Sequence, residues 1–326
     1  MKNFILIVVL FLFSLSKKND NIHHQHKGIR ALKTTYSENT SQILFSRKNG
    51  SDNGWSIYGI HPDGTKEEVI IPFKSGQGEY NPSISPQDKV ILFNTYRFGG
   101  WKLATYSMDT NKVNRISLGS NYYTNGAFSF DGKRIVYEKN IGKSTHIFIS
   151  NLDGTRETNL TNTISNDNRA PCWSFDDKSI LFYFKRNETN DVFSIDITTK
   201  KVDNLTNNSS GNDFNPSVSP DGKQVAFFSD RNGYLDLYVM DITGENQVCL
   251  TSDLHSKNNT YNYYKDSNLY WIFKVSWSPD GQYLVFSNIK SDNVDLFTIK
   301  KNGTKLRQIT NTPKSEYTPV WGNLKN

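Results

Sequence analysis

Three carboxylates occupy equivalent places in a repeated part of the chain, and their spacing suggests binding chemistry. Glu79, Asp213 and Glu316 each lie six residues before the same kind of position, which is Ser85, Ser219 or Gly322. A ring of carboxylates would hold a cation or the basic end of a peptide. Two carboxylates about 5 to 10 Å apart also meet the requirement of glycoside hydrolysis. The alternative is three solvated carboxylates at the starts of loops.

Sequence motifs of common enzyme classes are absent from the chain. It has no Gly-x-Ser-x-Gly, no His-Glu-x-x-His, no Cys-x-x-Cys and no Gly-x-x-x-x-Gly-Lys-Ser/Thr. The histidines are His61, His146, His255 and a cluster near the N-terminus, His23, His24 and His26. Exposed histidines without a fixed geometry do not make a tight metal site. We therefore expect no metal, no cofactor and no enzymatic activity.

The N-terminus predicts export. Lys2 precedes an apolar run from Phe4 to Phe13, and small residues follow near Ser16. This order is typical of a secretory signal peptide, and the run is short for a bilayer span. We predict a signal peptide at 1–16, a flexible leader at 17–38, no stable membrane span after signal removal, and a periplasmic or extracellular location. An uncleaved anchor is the alternative.

Composition and charge exclude two further classes. The 326 residues carry a net charge of +6, but lysine and arginine are interleaved with acids, which argues against nucleic-acid binding. Only Cys172 and Cys249 are present, so a disulfide-rich framework is excluded. Aromatic residues make up 13% of the chain, and such residues favour strands.

A repeat of about 45 residues must position the three carboxylates. The turn Ser219-Pro220-Asp221-Gly222 precedes the apolar strand around Phe227, and related turns start near Ser85, Ser129, Ser174 and Ser278. Each copy then continues with a third strand, a second turn such as Asp153-Gly154, and a fourth strand ending in Leu-Thr-Asn or a similar triplet. Four short strands in this period are typical of one propeller blade.

Ring closure is also predicted from the sequence. The first copy begins at Ile43 without an innermost strand, and Tyr317–Trp321 is a spare strand at the other end. We predict an all-β, six-bladed β-propeller of four-stranded antiparallel blades at 39–322, closed by the C-terminal strand completing the first blade, with a tail at 323–326. Closure removes exposed sheet edges, so we expect a monomer.

Side-chain alternation along the innermost strands predicts the site. Small residues such as Ser83 and Cys172 should line the central channel, and bulky ones such as Trp173 should pack between blades. The same parity directs the three carboxylates to the mouth of the channel. The predicted site residues are Glu79, Tyr80, Tyr123, Arg169, Asp213, Phe214, Glu316 and Tyr317. An insertion at 253–270 adds candidates over the mouth: Tyr261, Tyr263, Tyr264, Tyr270 and the adjoining Trp271. A polar loop without function is the alternative for this insertion.

The Ser-Pro-Asp-Gly-Lys turn, the apolar-aromatic strand after it and the Leu-Thr-Asn ending resemble the WD-like propeller repeat of TolB-type proteins. The resemblance covers residues 40–322. TolB itself has a small α/β domain before its propeller, and we expect none here because about 20 residues separate the signal from the first strand. The resemblance implies a non-enzymatic scaffold that binds a protein or peptide of the cell envelope. A carbohydrate- or peptide-cleaving propeller and an accessory propeller of a separately encoded peptidase or transporter are the alternatives.

Overall fold

The computed structural model describes residues 41–48, 54–116, 119–164, 167–186, 188–207, 210–252, 273–290 and 293–324, and the structural features reported below lie within them. The strands of the first three blades are β1 (Ser41–Lys48), β2 (Trp55–Ile60), β3 (Glu68–Ile71), β4 (Glu79–Ile84), β5 (Val90–Thr95), β6 (Lys102–Ser107), β7 (Lys112–Arg115), β8 (Tyr123–Phe128), β9 (Arg134–Ile141), β10 (Ser144–Asn151) and β11 (Thr158–Asn159).

The strands of the remaining blades are β12 (Arg169–Trp173), β13 (Ser179–Arg186), β14 (Thr189–Asp196), β15 (Val202–Asn204), β16 (Asp213–Val218), β17 (Gln224–Ser229), β18 (Asp236–Asp241), β19 (Val248–Cys249), β20 (Val275–Trp277), β21 (Tyr283–Lys290), β22 (Asn293–Lys300), β23 (Arg307–Gln308) and β24 (Glu316–Asn323). Five blades are formed by consecutive strands, β4–β7, β8–β11, β12–β15, β16–β19 and β20–β23. The predicted six-bladed, all-β propeller is confirmed.

The first blade combines the two ends of the ring. Its strand order is β24-β1-β2-β3, and β24 pairs antiparallel with β1, with Ile43 opposite Trp321 and Ser46 opposite Tyr317. The closure predicted from the spare C-terminal strand is therefore confirmed. The closing strand extends to Asn323, and the next residue, Leu324, is buried.

An aromatic column forms the core of the blades. Its members are fully or almost fully buried, and they are Phe45, Phe93, Tyr137, Phe182, Phe227 and Phe286. In five blades the column residue lies directly opposite an aromatic residue of the third strand. Phe227 and Tyr238, for example, have ring centroids 5.6 Å apart. Such cross-strand pairs stabilise a sheet, which explains why the repeat keeps an aromatic residue here.

The recurring Ser-Pro-Asp-Gly turn is closed by its own side chains. Ser219 Oγ donates to Asp221 Oδ1 at 2.6 Å, and the backbone N–H of Lys223 donates to the same oxygen at 3.1 Å. These bonds lower the pKa of Asp221. Gly222 supplies the positive φ of 71° that the turn needs. The motif is thus structural, and it lies at the end of the channel opposite to the starts of the inner strands.

The Leu-Thr-Asn ending is a second structural device. Thr251 Oγ1 accepts the backbone N–H of Leu237 at 2.9 Å and donates to Asp236 Oδ1 at 2.7 Å, tying the fourth strand to the third. Thr161 makes the same backbone contact in the third blade, where His146 replaces the aspartate and its ring nitrogen contacts the carbonyl of Thr161. His146 therefore belongs to the blade framework.

Candidate functional site

A one-residue bulge interrupts five of the six inner strands near the channel mouth. One residue in each has a φ between 47° and 56°, and these residues are Asn81, Asn125, Ala170, Asn215 and Thr318. The pairing register shifts at the same places, for instance between Tyr80 and Ser83 on β4. A bulge inserts an extra residue into one strand and re-aims the side chains beyond it.

The bulge reverses the alternation on which the predicted site depended. On β5, Leu92 lies opposite Ser83 and Asn94 lies opposite Tyr80, so Ser83 and Tyr80 share one face of the sheet. Glu79, opposite Thr95, falls on the other face. The registers of β8, β12, β16 and β24 show the same exchange. The residues that join the channel face are thus Tyr80, Thr124, Arg169, Phe214 and Tyr317.

The predicted acidic ring at the mouth does not form. Glu79, Asp213 and Glu316 are each 0% exposed, and each is paired with an arginine of its own blade. Arg97 Nε lies 2.7 Å from Glu79, and Arg231 lies 2.9 Å from Asp213. The prediction of exposed carboxylates was wrong because the alternation was carried through the bulge without a break.

Glu316 has hydrogen bonds to both of its carboxylate oxygens. Arg47 Nε donates to Glu316 Oε1 at 2.9 Å, and the hydroxyls of Thr310 and Thr312 donate to its two oxygens at 2.8 Å each. Arg47 also binds Glu67 and covers the ring of Tyr58 at 4.6 Å. Burial raises the pKa of Glu316, as it does for Glu79 and Asp213. These carboxylates stabilise the blade ends and are closed to a ligand.

Two predicted aromatic residues also lie in the core. Tyr123 is 4% exposed and packs on Tyr137, with ring centroids 5.8 Å apart. Phe214 is 0% exposed and packs between Tyr183 and Phe228, although its position faces the channel. Neither side chain offers a surface to a ligand, so both placements at an open mouth were wrong.

One side of the mouth is an aromatic wall. The rings of Tyr80 and Tyr317 flank that of Trp55 edge to face, at 4.9 and 5.1 Å, and Trp101 lies 6.3 Å from Tyr80. Tyr96 packs on Trp101 at 5.4 Å. All five side chains are partly exposed. Tyr80 and Tyr317 were predicted, whereas Trp55 and Trp101 were missed although both stand where the third strand of a blade begins.

The opposite side is a charged wall around Arg169, which was predicted. Arg169 lies between two carboxylates, 2.8 Å from Asp167 and 3.4 Å from Glu138. Glu138 also accepts hydrogen bonds from the amide of Asn125 at 2.6 Å and from the backbone N–H of Ala170 at 2.7 Å. Glu138 was not among the predicted site residues. It could have been found from its position directly after Tyr137 of the aromatic column, because this strand face lies opposite the residue that the bulge turns toward the channel.

These walls enclose a cavity of about 800 Å³ at the channel mouth. Trp55, Tyr80 and Trp101 line one side, and Glu138, Asp167 and Arg169 line the other. Pockets of this size hold ligands with several rotatable bonds, and they usually combine apolar walls with a few fixed polar groups. The cavity therefore has the size and chemistry of a binding site.

Bulge residues form the floor of the cavity. The amide of Asn81 donates to Asn125 Oδ1 at 2.6 Å. Lys274 Nζ donates to Asn81 Oδ1, and this contact reaches from the sixth blade past the first to the second, so the ammonium lies over the channel. Burial lowers the pKa of Lys274 to about 8. The small-residue position below the floor holds Cys172, whose pKa burial raises to about 12.

Tyr261, Tyr263, Tyr264, Tyr270 and Trp271 lie outside the described residues, as do the leader histidines and the predicted signal peptide. Within the ranges that the structure describes, no three histidine, cysteine, aspartate or glutamate side chains gather as metal ligands. Nor does any helix there have the length and apolar character needed to cross a membrane.

Sequence comparison identifies the repeat. The family model for the TolB beta propeller domain matches residues 163–273, which span the fourth and fifth blades. Comparison with curated protein sequences gives no match.

Structural comparison extends the similarity to the whole ring. TolB from Acinetobacter baumannii matches with a TM-score of 0.72 at 17% identity, covering 86% of this chain and 66% of that one, so this chain spans just under two thirds of its length. A putative TolB from Agrobacterium tumefaciens matches at 0.64 and 17% identity, covering 87% and 98%. An oligogalacturonate lyase in complex with manganese matches at 0.56 and 14% identity, covering 82% and 73%.

Because identities this low show the fold alone, a fold shared by a lyase and by TolB does not assign a function. Residues 163–273 match the TolB beta propeller domain, and the described residues between 41 and 324 form a six-bladed propeller similar in fold to that of TolB.

Proposed function

We propose that this protein is an exported, non-enzymatic scaffold that binds a peptide segment of a cell-envelope protein in the cavity at the channel mouth. The cavity itself carries the proposal, because it joins an aromatic wall to a charged wall above a polar floor. Rigid aromatic residues provide much of the binding energy in protein recognition, and arginine is enriched beside them. Trp55, Trp101 and Arg169 match this composition.

The shape of the cavity favours an extended segment over a broad protein surface. The starts of the inner strands surround a concave site at the axis, so a chain must enter it end-on or as a narrow loop. Apolar side chains of the segment would pack on Trp55 and Tyr80, while its backbone amides would meet the exposed carboxylate of Asp167. Residues on rigid strands hold such a site ready before the ligand arrives, which lowers the entropic cost of binding.

Peptide binding tests the proposal directly. Purified protein is incubated with an array of N-acetylated peptides of random sequence, and the captured peptides are ranked by affinity. We expect Trp101→Ala to weaken binding roughly 30-fold or more, because truncation of a central aromatic residue commonly costs about 2 kcal/mol.

The control variant is Phe175→Ala. Phe175 is also an aromatic residue, 49% exposed, but it lies in a turn at the opposite end of the channel. The Phe175→Ala variant should bind peptides as the wild type does. Equal loss in both variants, or no peptide captured by the wild type, would contradict the proposal. Turnover of a saccharide or peptide that is abolished by Glu138→Gln would favour the enzymatic alternative.

A further inference from the structure

The charges that line the cavity are paired, with one exception. Arg169 pairs with Asp167, and Lys185 lies 3.2 Å from Glu188 at the rim. Glu138 is 1% exposed and accepts donors from Thr124, Asn125, Arg169 and Ala170. Each of these charges therefore has opposite charges or several hydrogen bonds to balance it.

Lys274 is the exception among the described cavity residues. Its ammonium carries three donors, and the structure supplies one acceptor, the neutral Oδ1 of Asn81. The titratable groups facing it are the carboxylate of Glu138 and the neutral thiol of Cys172, but no carboxylate lies within 4 Å of its nitrogen in the described part of the chain. A partly buried ammonium with two donors to spare is matched by an anionic oxygen ligand.

The position of Lys274 limits what such a ligand is. The ammonium lies over the channel at the bottom of the cavity, below both walls, so a group that reaches it must be at the end of an entering segment. The neighbouring Asn125 and Asn215 also line the cavity and offer neutral amides only. A single cation surrounded by amides suits a singly charged carboxylate better than a dianionic phosphate.

We propose that Lys274 anchors a carboxylate of the bound peptide at the floor of the cavity. This inference rests on the proposed function and adds the class of group that the site recognises. The carboxylate comes from the C-terminus of the peptide or from an aspartate or glutamate at its tip. In either case the ion pair forms inside a cavity, where solvent screens it less than at the surface.

The test uses one set of N-acetylated pentapeptides in four forms: C-terminal acid or C-terminal amide, each with or without an internal glutamate. We expect the wild type to bind the forms that carry a carboxylate at least tenfold more tightly than the neutral amide, since a hydrogen bond to a charged group contributes roughly this factor. Lys274→Met should remove that preference, so that all four forms bind this variant with similar affinity.

Two further variants test whether the preference depends on the charge of Lys274 in particular. Lys201→Met removes an exposed lysine that pairs with Asp203 far from the cavity, and it should keep the wild-type preference. Lys274→Gln keeps polarity and donors but loses the charge, so it should behave as Lys274→Met does. Melting temperatures of all variants confirm that they are folded.

The pattern of binding distinguishes the two possible sources of the carboxylate. It also distinguishes failure of the carboxylate site from failure of the proposed function. Preference for both acid forms regardless of glutamate assigns the C-terminal carboxylate, and preference for both glutamate forms assigns the side chain. Equal binding of all four forms, unchanged in Lys274→Met, would overturn the carboxylate site and leave peptide binding intact. No binding of any peptide, or binding of an acidic oligosaccharide in their place, would overturn the carboxylate site together with the proposed function.

Discussion

The two faces of the inner strands hold similar charged groups with opposite roles. On the closed face, Asp213 is buried and locked to Arg231. On the open face, Asp167 is 63% exposed and contacts Arg169 beside a cavity. The bulge decides which face a residue joins, because one extra residue reverses the side-chain alternation. The same pair of residue types therefore supports the blade in one place and forms a binding surface in the other.

The largest effect should follow from breaking a pair on the closed face. Arg231→Met leaves the Asp213 carboxylate buried without its cation, and it also removes a contact to Gln247. We expect a loss of about 3–5 kcal/mol in the free energy of unfolding, measured by urea denaturation. The double variant Arg231→Met/Asp213→Asn should recover part of this loss. A change below about 1 kcal/mol in the single variant would contradict a structural role for the pair.

The pH dependence of peptide binding should report the charge of Lys274 at the floor of the cavity. Burial lowers the pKa of Lys274 to about 8, so the free protein carries the required charge below pH 8 and loses it above. The affinity for an acid-form peptide should fall roughly tenfold between pH 7 and pH 9, because the peptide carboxylate stays ionised throughout. Cys172 beside it stays neutral over this range.

The Lys274→Met variant is the matched control, and its affinity for the acid-form peptide should not change between pH 7 and pH 9. Isothermal titration calorimetry at three pH values measures the effect. An equal decline in the wild type and in this variant would show that another group titrates.

A smaller effect on stability should come from a substitution at the bulge, where the side-chain alternation is reversed. Ala170 has a φ of 47°, which costs an L residue about 1–2 kcal/mol and a glycine nothing comparable. Ala170→Gly should raise the free energy of unfolding by up to about 1 kcal/mol, after the greater entropy of unfolded glycine is counted. Ala127 lies on the neighbouring inner strand β8 and is not among the positive-φ residues, so Ala127→Gly should lower the free energy of unfolding. Destabilisation of equal size in both variants would argue against strain at the bulge.

The smallest effect is expected on the open face. Asp167→Asn breaks the 2.8 Å contact with Arg169, but the exposed position lets water replace the lost charge. The free energy of unfolding should change by less than about 1 kcal/mol, which is typical of exposed ion pairs. Thermal denaturation of the two proteins side by side checks this. A loss as large as that of Arg231→Met would erase the distinction between the faces.

The ring could be predicted from the sequence because its determinants are local and repeated. Turns such as Ser219-Pro220-Asp221-Gly222 close through bonds between neighbours, and the aromatic column at Phe227 recurs once in each blade. Closure followed from counting strands, since a spare strand at the end matched a missing one before Ile43. Because the pattern occurs in six copies, one atypical copy does not prevent the ring from being predicted.

The site was decided by the tertiary structure, because it depends on features that leave a weak mark on the sequence. The bulge residue is asparagine in three strands but alanine in a fourth and threonine in a fifth, so no single residue type announces it. The alternation rule holds on either side of the bulge and fails across it, which placed Glu79 on the wrong face. Trp55, Glu138 and Lys274 come from blades far apart in the sequence, and only the closed ring brings them around one cavity.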